Sequence, residues 1–341
     1  MNLEVGWISR SKCPICGLAG EVRYMGVTDK AYHVPGEWCY RQHRSCDVLW
    51  LDPTPANYST VATLYPADYP THVKPEPENL LASRQGRVAN LRLRIKSEIL
   101  RHAYGYTIEC RDKWVCLLGR IAAAFPIMRR WAGYTVRFLH ARNGRLLDVG
   151  CGNGTFLMLM ARLGWEVMGI EPDPTAAAYA HSQGLKVEVG MLEEVRLEPE
   201  SFDAITLSHV IEHLLDPVVS LKVLARALKP GGVLVSISPN PDGVLSRIFG
   251  PSWRELDPPR HLVLFGPRAM ANLARMLGLR PIVWTTNRNA NWVAQESISI
   301  KRYSNAFAYR GKLLPAMLKV FCMLFIPFGI GEEVVLVAKK E

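Results

Sequence analysis

No stretch of the 341-residue chain stays apolar long enough to cross a bilayer unbroken. The nearest, Leu313–Gly331, is interrupted by Pro315, Lys319, Pro327 and two glycines. A buried or partner-facing helix is expected there, with contact at a membrane surface as the alternative. The opening MNLEVGWISRSKC lacks a basic segment followed by an apolar core. No secretory signal is therefore expected, and the chain is read as cytoplasmic. There is no internal repeat and no low-complexity tract, so solenoid and extended disordered classes are set aside.

Acids are scarce in one place. Between Leu81 and Arg145 only Glu98, Glu109 and Asp112 face 14 lysines and arginines, a local charge of +11 in a chain whose net charge is +10. Such a segment attracts anions: a phosphorylated or nucleotide-linked substrate, nucleic acid or acidic lipid. The alternative is a solvated helical surface. Elsewhere the composition is that of an ordinary folded protein, 49% hydrophobic and 21% charged. The length suggests about two domains.

Texture divides the chain into four segments. Residues 1–52 hold four cysteines among many turn residues and read as a small metal-stapled module. Residues 53–79 form a proline-rich linker. Residues 80–142 form a basic helical segment, in which Leu80, Leu81, Val88, Leu91, Ile95 and Ile99 recur at helical spacing. A second helix is expected over Trp114–Phe125, ending near Pro126. From 143 to 341 apolar runs alternate with helix-like stretches, ending in the strand candidates PIVWTT and EEVVLVAKK. That alternation predicts an α/β domain with a parallel sheet covered on both faces.

The chemistry concentrates in Leu146-Leu147-Asp148-Val149-Gly150-Cys151-Gly152-Asn153-Gly154. A hydrophobic strand runs into a glycine-rich turn and then a helix, so a ligand can lie against the backbone. The spacing is G-x-G-x-G, with Asp148 two residues before the first glycine, and not the G-x-G-x-x-G of dinucleotide loops. Glu171 closes the next strand, 17 residues after Gly154. A carboxylate there can accept hydrogen bonds from both hydroxyls of a ribose. Phe202-Asp203-Ala204-Ile205, Ser208-His209-Val210-Ile211-Glu212-His213 and Leu228-Lys229-Pro230-Gly231-Gly232 follow in order.

With these motifs, residues 140–341 resemble the class I S-adenosylmethionine-dependent methyltransferases, in particular the small-molecule branch that includes ubiquinone-biosynthesis O-methyltransferases and bacterial glycan enzymes. The resemblance implies a Rossmann-like α/β fold: a mostly parallel seven-stranded sheet with helices on both faces, plus a small N-terminal zinc-ribbon-like module and a helical lid. It implies that Gly150, Gly152 and Gly154 lie under the methionine part of S-adenosyl-L-methionine. Asp148 would support that loop and meet the ammonium group. Glu171 would hold the ribose, Met191 and Leu192 would flank the adenine, and Ser208 and His209 would face the sulfonium and the substrate. The acceptor implied is a small molecule or glycan.

A sulfonium methyl is already activated, so the protein must chiefly align the acceptor and exclude water. A hydroxyl acceptor also needs a general base. His261, His209 and His213 are the candidates, with His261 favoured because it sits in the Trp253–Leu262 stretch WRELDPPRHL, expected to rim the active site. Structurally, His261 could instead tie that loop down. His209-x-x-Glu212-His213 departs from an E-x-x-E-H metal element found in some relatives, and more simply starts a helix.

Cys13-Pro14-Ile15-Cys16-Gly17 has the look of a zinc knuckle. His43-x-x-Cys46 has the spacing to complete a tetrahedron, with Cys39 as the substitute for His43. Related glycan enzymes begin with paired C-x-x-C motifs followed by L-D-P-x-P and L-Y-P-x-x-Y, and this chain has Leu51–Pro55 and Leu64–Tyr69 in those forms. By that resemblance His43 stands at a cysteine position and Asp47 at a glycine. Four protein ligands would make the zinc structural. Cys110, Cys116, Cys151 and Cys322 lack partner spacing and are expected as buried thiols.

Three other functions compete. An RNA methyltransferase could dock nucleic acid on the basic segment, but Ser208–Ile211 stands where a base-methylating N-P-P-[YF] motif would be. A non-enzymatic scaffold on a decayed fold conflicts with the intact motifs. A nicotinamide oxidoreductase conflicts with the glycine spacing.

Overall fold

The computed structural model describes residues 6–65, 87–108, 112–304, 317–318, 321–322 and 330–341. Most of Leu313–Gly331, the linker beyond residue 65, and Leu80 and Leu81 lie outside the described residues. In chain order the strands are β1 (Trp7–Ile8), β2 (Glu21–Val27), β3 (Trp38–His43), β4 (Val48–Asp52), β5 (Thr54–Pro55), β6 (Arg145–Val149), β7 (Glu166–Glu171), β8 (Val187–Val189), β9 (Phe202–Ser208), β10 (Leu228–Pro239), β11 (Val263–Phe265), β12 (Leu279–Thr286) and β13 (Glu333–Lys340). The helices are α1 (Tyr58–Ala62), α2 (Arg87–Tyr104), α3 (Lys113–Ala122), α4 (Pro126–Gly133), α5 (Thr155–Arg162), α6 (Pro174–Ser182), α7 (Pro217–Ala227), α8 (Val244–Phe249), α9 (Pro267–Met276) and α10 (Ala290–Ser304). No described helix is long and apolar enough to cross a membrane.

A seven-stranded sheet runs β12-β13-β10-β9-β6-β7-β8. Strands β6, β7 and β8 pair in parallel, while β12 and β13 pair antiparallel at the other edge. This is the α/β architecture expected from the alternating texture. The L-K-P-G-G segment forms the first residues of β10. The chain divides into two compact units, one of Asp68–Thr206 and Ala227–Val235, the other of Met1–Ala67, Leu207–Arg226 and Ser236–Glu341.

In the first unit, β6 is buried from Leu146 to Val149. Apolar residues dominate it because strands of a covered parallel sheet are buried on both sides. The turn after β6 leads into α5, and Leu157, Ala177, Ala180, Leu185 and Val187 form a core beside Cys151. Gly154 belongs to this packing. Its φ is +77°, and a Cβ there would lie 2.4 Å from Leu185 Cδ1 and 3.0 Å from Ala180 Cβ. Helix α6 starts at Pro174, with Asp173 accepting a hydrogen bond from the Thr175 amide at 2.9 Å. In the basic segment, α3 starts one residue before the expected helix, and a separate helix α4 begins at Pro126. Gly119 lets α3 approach α2 closely, since a Cβ there would meet Glu98 Cβ at 2.2 Å. A small part of the basic excess is spent locally: Arg137, Arg142 and Arg145 pair with Asp148, Asp203 and Glu166, and Arg94 pairs with Asp112 inside the segment.

In the second unit, an antiparallel sheet runs β11-β4-β3-β2. Three of its strands come from the N-terminal segment and the fourth from residues 263–265. Tyr40, Leu49, Trp50, Leu51, Val263, Leu264 and Phe265 are fully buried. The cysteine-bearing segment thus shares a hydrophobic core with the C-terminal part of the chain.

Candidate functional site

In the first unit, the turn after β6 and the end of β7 meet. The Gly150 and Cys151 amides both donate to the Ile170 carbonyl, at 2.8 and 3.1 Å. The Gly152 amide donates to Glu171 Oε2 at 2.7 Å, and the Asp173 amide to Glu171 Oε1 at 3.0 Å. Gly152 has φ +56°, and a Cβ at that position would meet nothing within 4 Å. The strained conformation calls for glycine, and the open space beside it leaves room for a ligand. Glu171 is buried, and burial raises its carboxyl above the usual range despite the two amides. Gly190 donates to the Glu171 carbonyl at 3.1 Å, which brings Met191 and the buried Leu192 next along the chain.

Asp148 is fully buried. Its Oδ1 accepts from Thr206 Oγ1 at 2.8 Å and from Arg137 Nη1, which also donates to Thr206 at 2.9 Å. Its Oδ2 is buried with no partner among the described residues. Burial pushes its carboxyl up, against the pull of Arg137 and Thr206. A buried carboxylate oxygen lacking a donor is suited to receive one from a ligand, such as an ammonium. The motif did not point to Arg137, since nothing in sequence distinguishes it from 13 other bases in that segment. Structure does: its backbone is left-handed at φ 47°, and its guanidinium lies 3.8 Å from the Phe156 ring centroid.

The second unit holds Ser208 and the histidines. Ser208 ends β9 and is partly buried. His209 follows at φ 55°, with its amide bonded to the Ile237 carbonyl at 2.8 Å. Its ring lies between two carboxylates, Nε2 at 3.2 Å from Glu333 Oε1 and Nδ1 at 3.5 Å from Glu212 Oε1. Burial opposes the charge, but Glu212 and Glu333 outweigh it and hold the imidazole well above its ordinary pKa. His209 is therefore a cation at neutral pH. His261 is the opposite case. Burial and nearby His213 push it down to about 4, so its ring is neutral. Its Nδ1 lies 2.7 Å from the Glu255 carbonyl, which assigns the ring proton to Nδ1 and leaves Nε2 a lone pair. His213 Nδ1 lies 2.9 Å from the Tyr65 hydroxyl and 3.0 Å from the Arg260 carbonyl. Ligand atoms of Glu212, His213 and His261 all come within 4.8 Å of one another.

Residues 253–262 do not form the rim expected from their sequence, because every one of them is buried. The physical reason is a charge lattice. Arg260 is 1% exposed and donates to Asp257 through Nε and Nη2, at 3.1 and 2.8 Å, and to Asp29 through Nη1 at 2.8 Å. Arg254 Nη1 donates to Asp257 at 2.7 Å. Against burial, the two guanidiniums hold the Asp257 carboxyl well below the usual range. A buried ion pair left with one partner costs about 3–5 kcal/mol.

At the N-terminus, Cys13, Cys16 and Cys46 lie within 4.8 Å of one another. His43 Nδ1 is 2.9 Å from Cys46 Sγ and 3.4 Å from Cys16 Sγ. Cys39 is a free thiol on β3, opposite Asp52, and is not part of this group. Three thiols and an imidazole are a donor set suited to tetrahedral zinc. Asp47, at the expected glycine position, adopts φ 54°. Arg268 holds its carboxylate through two bonds at 2.8 and 2.9 Å. Cys151 and Cys322 are buried thiols as expected, whereas Cys116 is disulfide-bonded.

Residues 124–283 match the family model described as "Methyltransferase domain". The ubiquinone biosynthesis O-methyltransferase of Cereibacter sphaeroides is 33% identical over 150 residues, covering 40% of this chain and 61% of that protein. The protein of the same name in Xanthomonas campestris pv. campestris is 41% identical over 97 residues, 26% of this chain and 41% of that one. The chain thus spans about three fifths or less of the length of these relatives. A solved methyltransferase of Thermotoga maritima, described as a possible histamine N-methyltransferase, aligns with 22% identity and a TM-score of 0.44, over 61% of this chain and 86% of that one.

The acid-rich cluster makes stability depend on pH. Glu332 is buried, and burial together with Glu255 and Glu333 raises its carboxyl to about 8 from an ordinary 4.5. Between those values the unfolded chain has lost this proton and the folded chain keeps it. Its contribution to folding therefore falls as pH rises through that window. Glu332→Gln should gain stability over wild type at about pH 8.5 relative to about pH 5, by on the order of 2 kcal/mol. Urea unfolding of both proteins at the two pH values measures the gap; a gap that stays constant contradicts the assignment.

Proposed function

We propose that the chain is a class I S-adenosylmethionine-dependent methyltransferase acting on a small-molecule acceptor, a reading supported by the match of residues 124–283 to a methyltransferase domain. The observation that carries this is the bond from the Gly152 amide to Glu171, with open space over Gly152. The unpartnered Asp148 oxygen beside it fits the cofactor's ammonium. When bound, S-adenosylmethionine supplies a methyl group already activated on sulfur. In this reading Gly150, Gly152 and Gly154 shape the floor, Asp148 and Arg137 meet the amino-acid end, Glu171 accepts from the ribose, and Met191 and Leu192 flank the base.

The names of the Cereibacter and Xanthomonas relatives support an oxygen acceptor on a small molecule. Among the histidines, His261 is the proposed base. It is neutral, its proton is fixed on Nδ1 by the Glu255 carbonyl, and Nε2 can accept. His209 already holds its proton between Glu212 and Glu333, so its proposed role is a fixed positive charge next to Ser208. A glycan or anionic acceptor remains part of the proposal, on the strength of the arginine content. Structural zinc at Cys13, Cys16, His43 and Cys46 is also proposed, supported by the mutual approach of the three thiols and by the nearness of His43 to Cys46 and Cys16.

Two measurements test this. Calorimetric titration with S-adenosylhomocysteine should show binding by wild type, weakened about tenfold or more by Glu171→Ala and abolished by Gly152→Arg. Preference for NAD(H) over the homocysteine ligand would overturn the cofactor assignment. The purified chain should carry zinc in equimolar amount, lost in His43→Ala and retained in Cys39→Ala. Zinc-free protein, or loss in the Cys39 variant alone, rules out the four ligands named.

A further inference from the structure

The second unit contains a cavity of about 580 Å³ that none of the roles above uses. Arg23, Arg44, Arg247 and Arg268 line it, with Asp47 and Asp242. These arginines come from β2, the turn after β3, α8 and the first turn of α9, so no single helical face or sequence run explains their convergence. Gly266 allows the backbone to approach the two acids: a Cβ there would lie 2.8 Å from Asp47 Cβ and 3.2 Å from Asp242 Oδ2.

Two of the four positive charges are committed. Arg268 grips Asp47 through two bonds at 2.8 and 2.9 Å. Arg23 stands 3.7 Å from Asp242, an ion pair without a hydrogen bond. Arg247 donates through Nε to the Asp242 carbonyl at 3.1 Å, a neutral partner. Neither Arg44 nor Arg247 has a carboxylate partner among the described residues. The cavity therefore carries a surplus of two guanidiniums, the groups best matched to phosphoryl oxygens. The first turn of α9 adds partial positive charge from its free amides. The volume falls within the range of small-molecule sites and exceeds what a bare phosphate fills.

The geometry points to a binding site for a dianionic phosphoryl group carried on a small molecule, held chiefly by Arg44 and Arg247. The anion site stands independently of the catalytic reading. Only the further step, that the bound molecule is the methyl acceptor, rests on the proposed methyltransferase function. Convergence of four arginines from separate elements on one spot favours a compact anion over an extended nucleic-acid backbone, which would need a continuous basic track.

Titration of the full chain with inorganic pyrophosphate tests the site. Wild type should bind it, and the double variant Arg44→Glu, Arg247→Glu should weaken binding by about tenfold or more. Both side chains are exposed, so the variant should fold, and unchanged affinity for S-adenosylhomocysteine verifies this. Absence of pyrophosphate binding at millimolar concentration, or equal binding by the variant, overturns the proposal. A short oligouridylate that binds more tightly than pyrophosphate and is lost in the same variant also overturns it, in favour of nucleic acid. Pyrophosphate binding that depends on the two arginines in a chain that fails to bind S-adenosylhomocysteine would uphold the anion site and refute the methyltransferase reading.

Discussion

The hydrogen bond from the Gly152 amide to Glu171 joins two loops that are 19 residues apart in sequence, and the cofactor assignment depends on it. A glycine-rich turn by itself only reverses the chain. Held by a buried carboxylate at the end of the adjacent parallel strand, it is fixed in place against that strand. The β6–β7 register, with Asp148 opposite Gly169 and Val149 opposite Ile170, sets where each strand stops. Gly154 then turns the chain into α5 where any side chain would collide with Leu185. The two glycines thus serve different ends: Gly152 faces open space, and Gly154 makes room for the protein's own packing.

Charge is buried on a large scale in the second unit, and the cations Arg260 and His209 each have a defined counter-charge. Arg260 answers Asp29 and Asp257, and His209 answers Glu212 and Glu333. Removing one member of such a set leaves the other desolvated and unpaired, which is why these residues fix loop positions so firmly. The same burial separates the histidines chemically. Two carboxylates raise His209 well above the ordinary imidazole range, while burial beside another imidazole lowers His261.

The sheet and its cofactor turn were legible because they rest on local signals: apolar runs, glycine spacing and a carboxylate at a strand end. Cys13, Cys16, His43 and Cys46 were expected as one group from their paired spacing, with Cys39 as the substitute for His43; the fold brings the three thiols together and sets His43 beside Cys16 and Cys46. What the sequence concealed depends on contacts between distant segments. Arg137 reaches Asp148 from a segment crowded with other arginines. Trp253–Leu262 looked like an exposed rim because it is polar and proline-rich, yet Arg260 meets Asp29 from 231 positions away and draws it inside. The cavity of arginines likewise assembles from four separate elements.

The most direct test of the central claim is amide hydrogen exchange, with and without S-adenosylhomocysteine. Added protection is expected at 149–155 and 170–173 when this ligand is present, and none there with NAD. Unchanged exchange in both segments, or protection confined to other parts of the chain, would contradict a cleft built by Gly152 and Glu171.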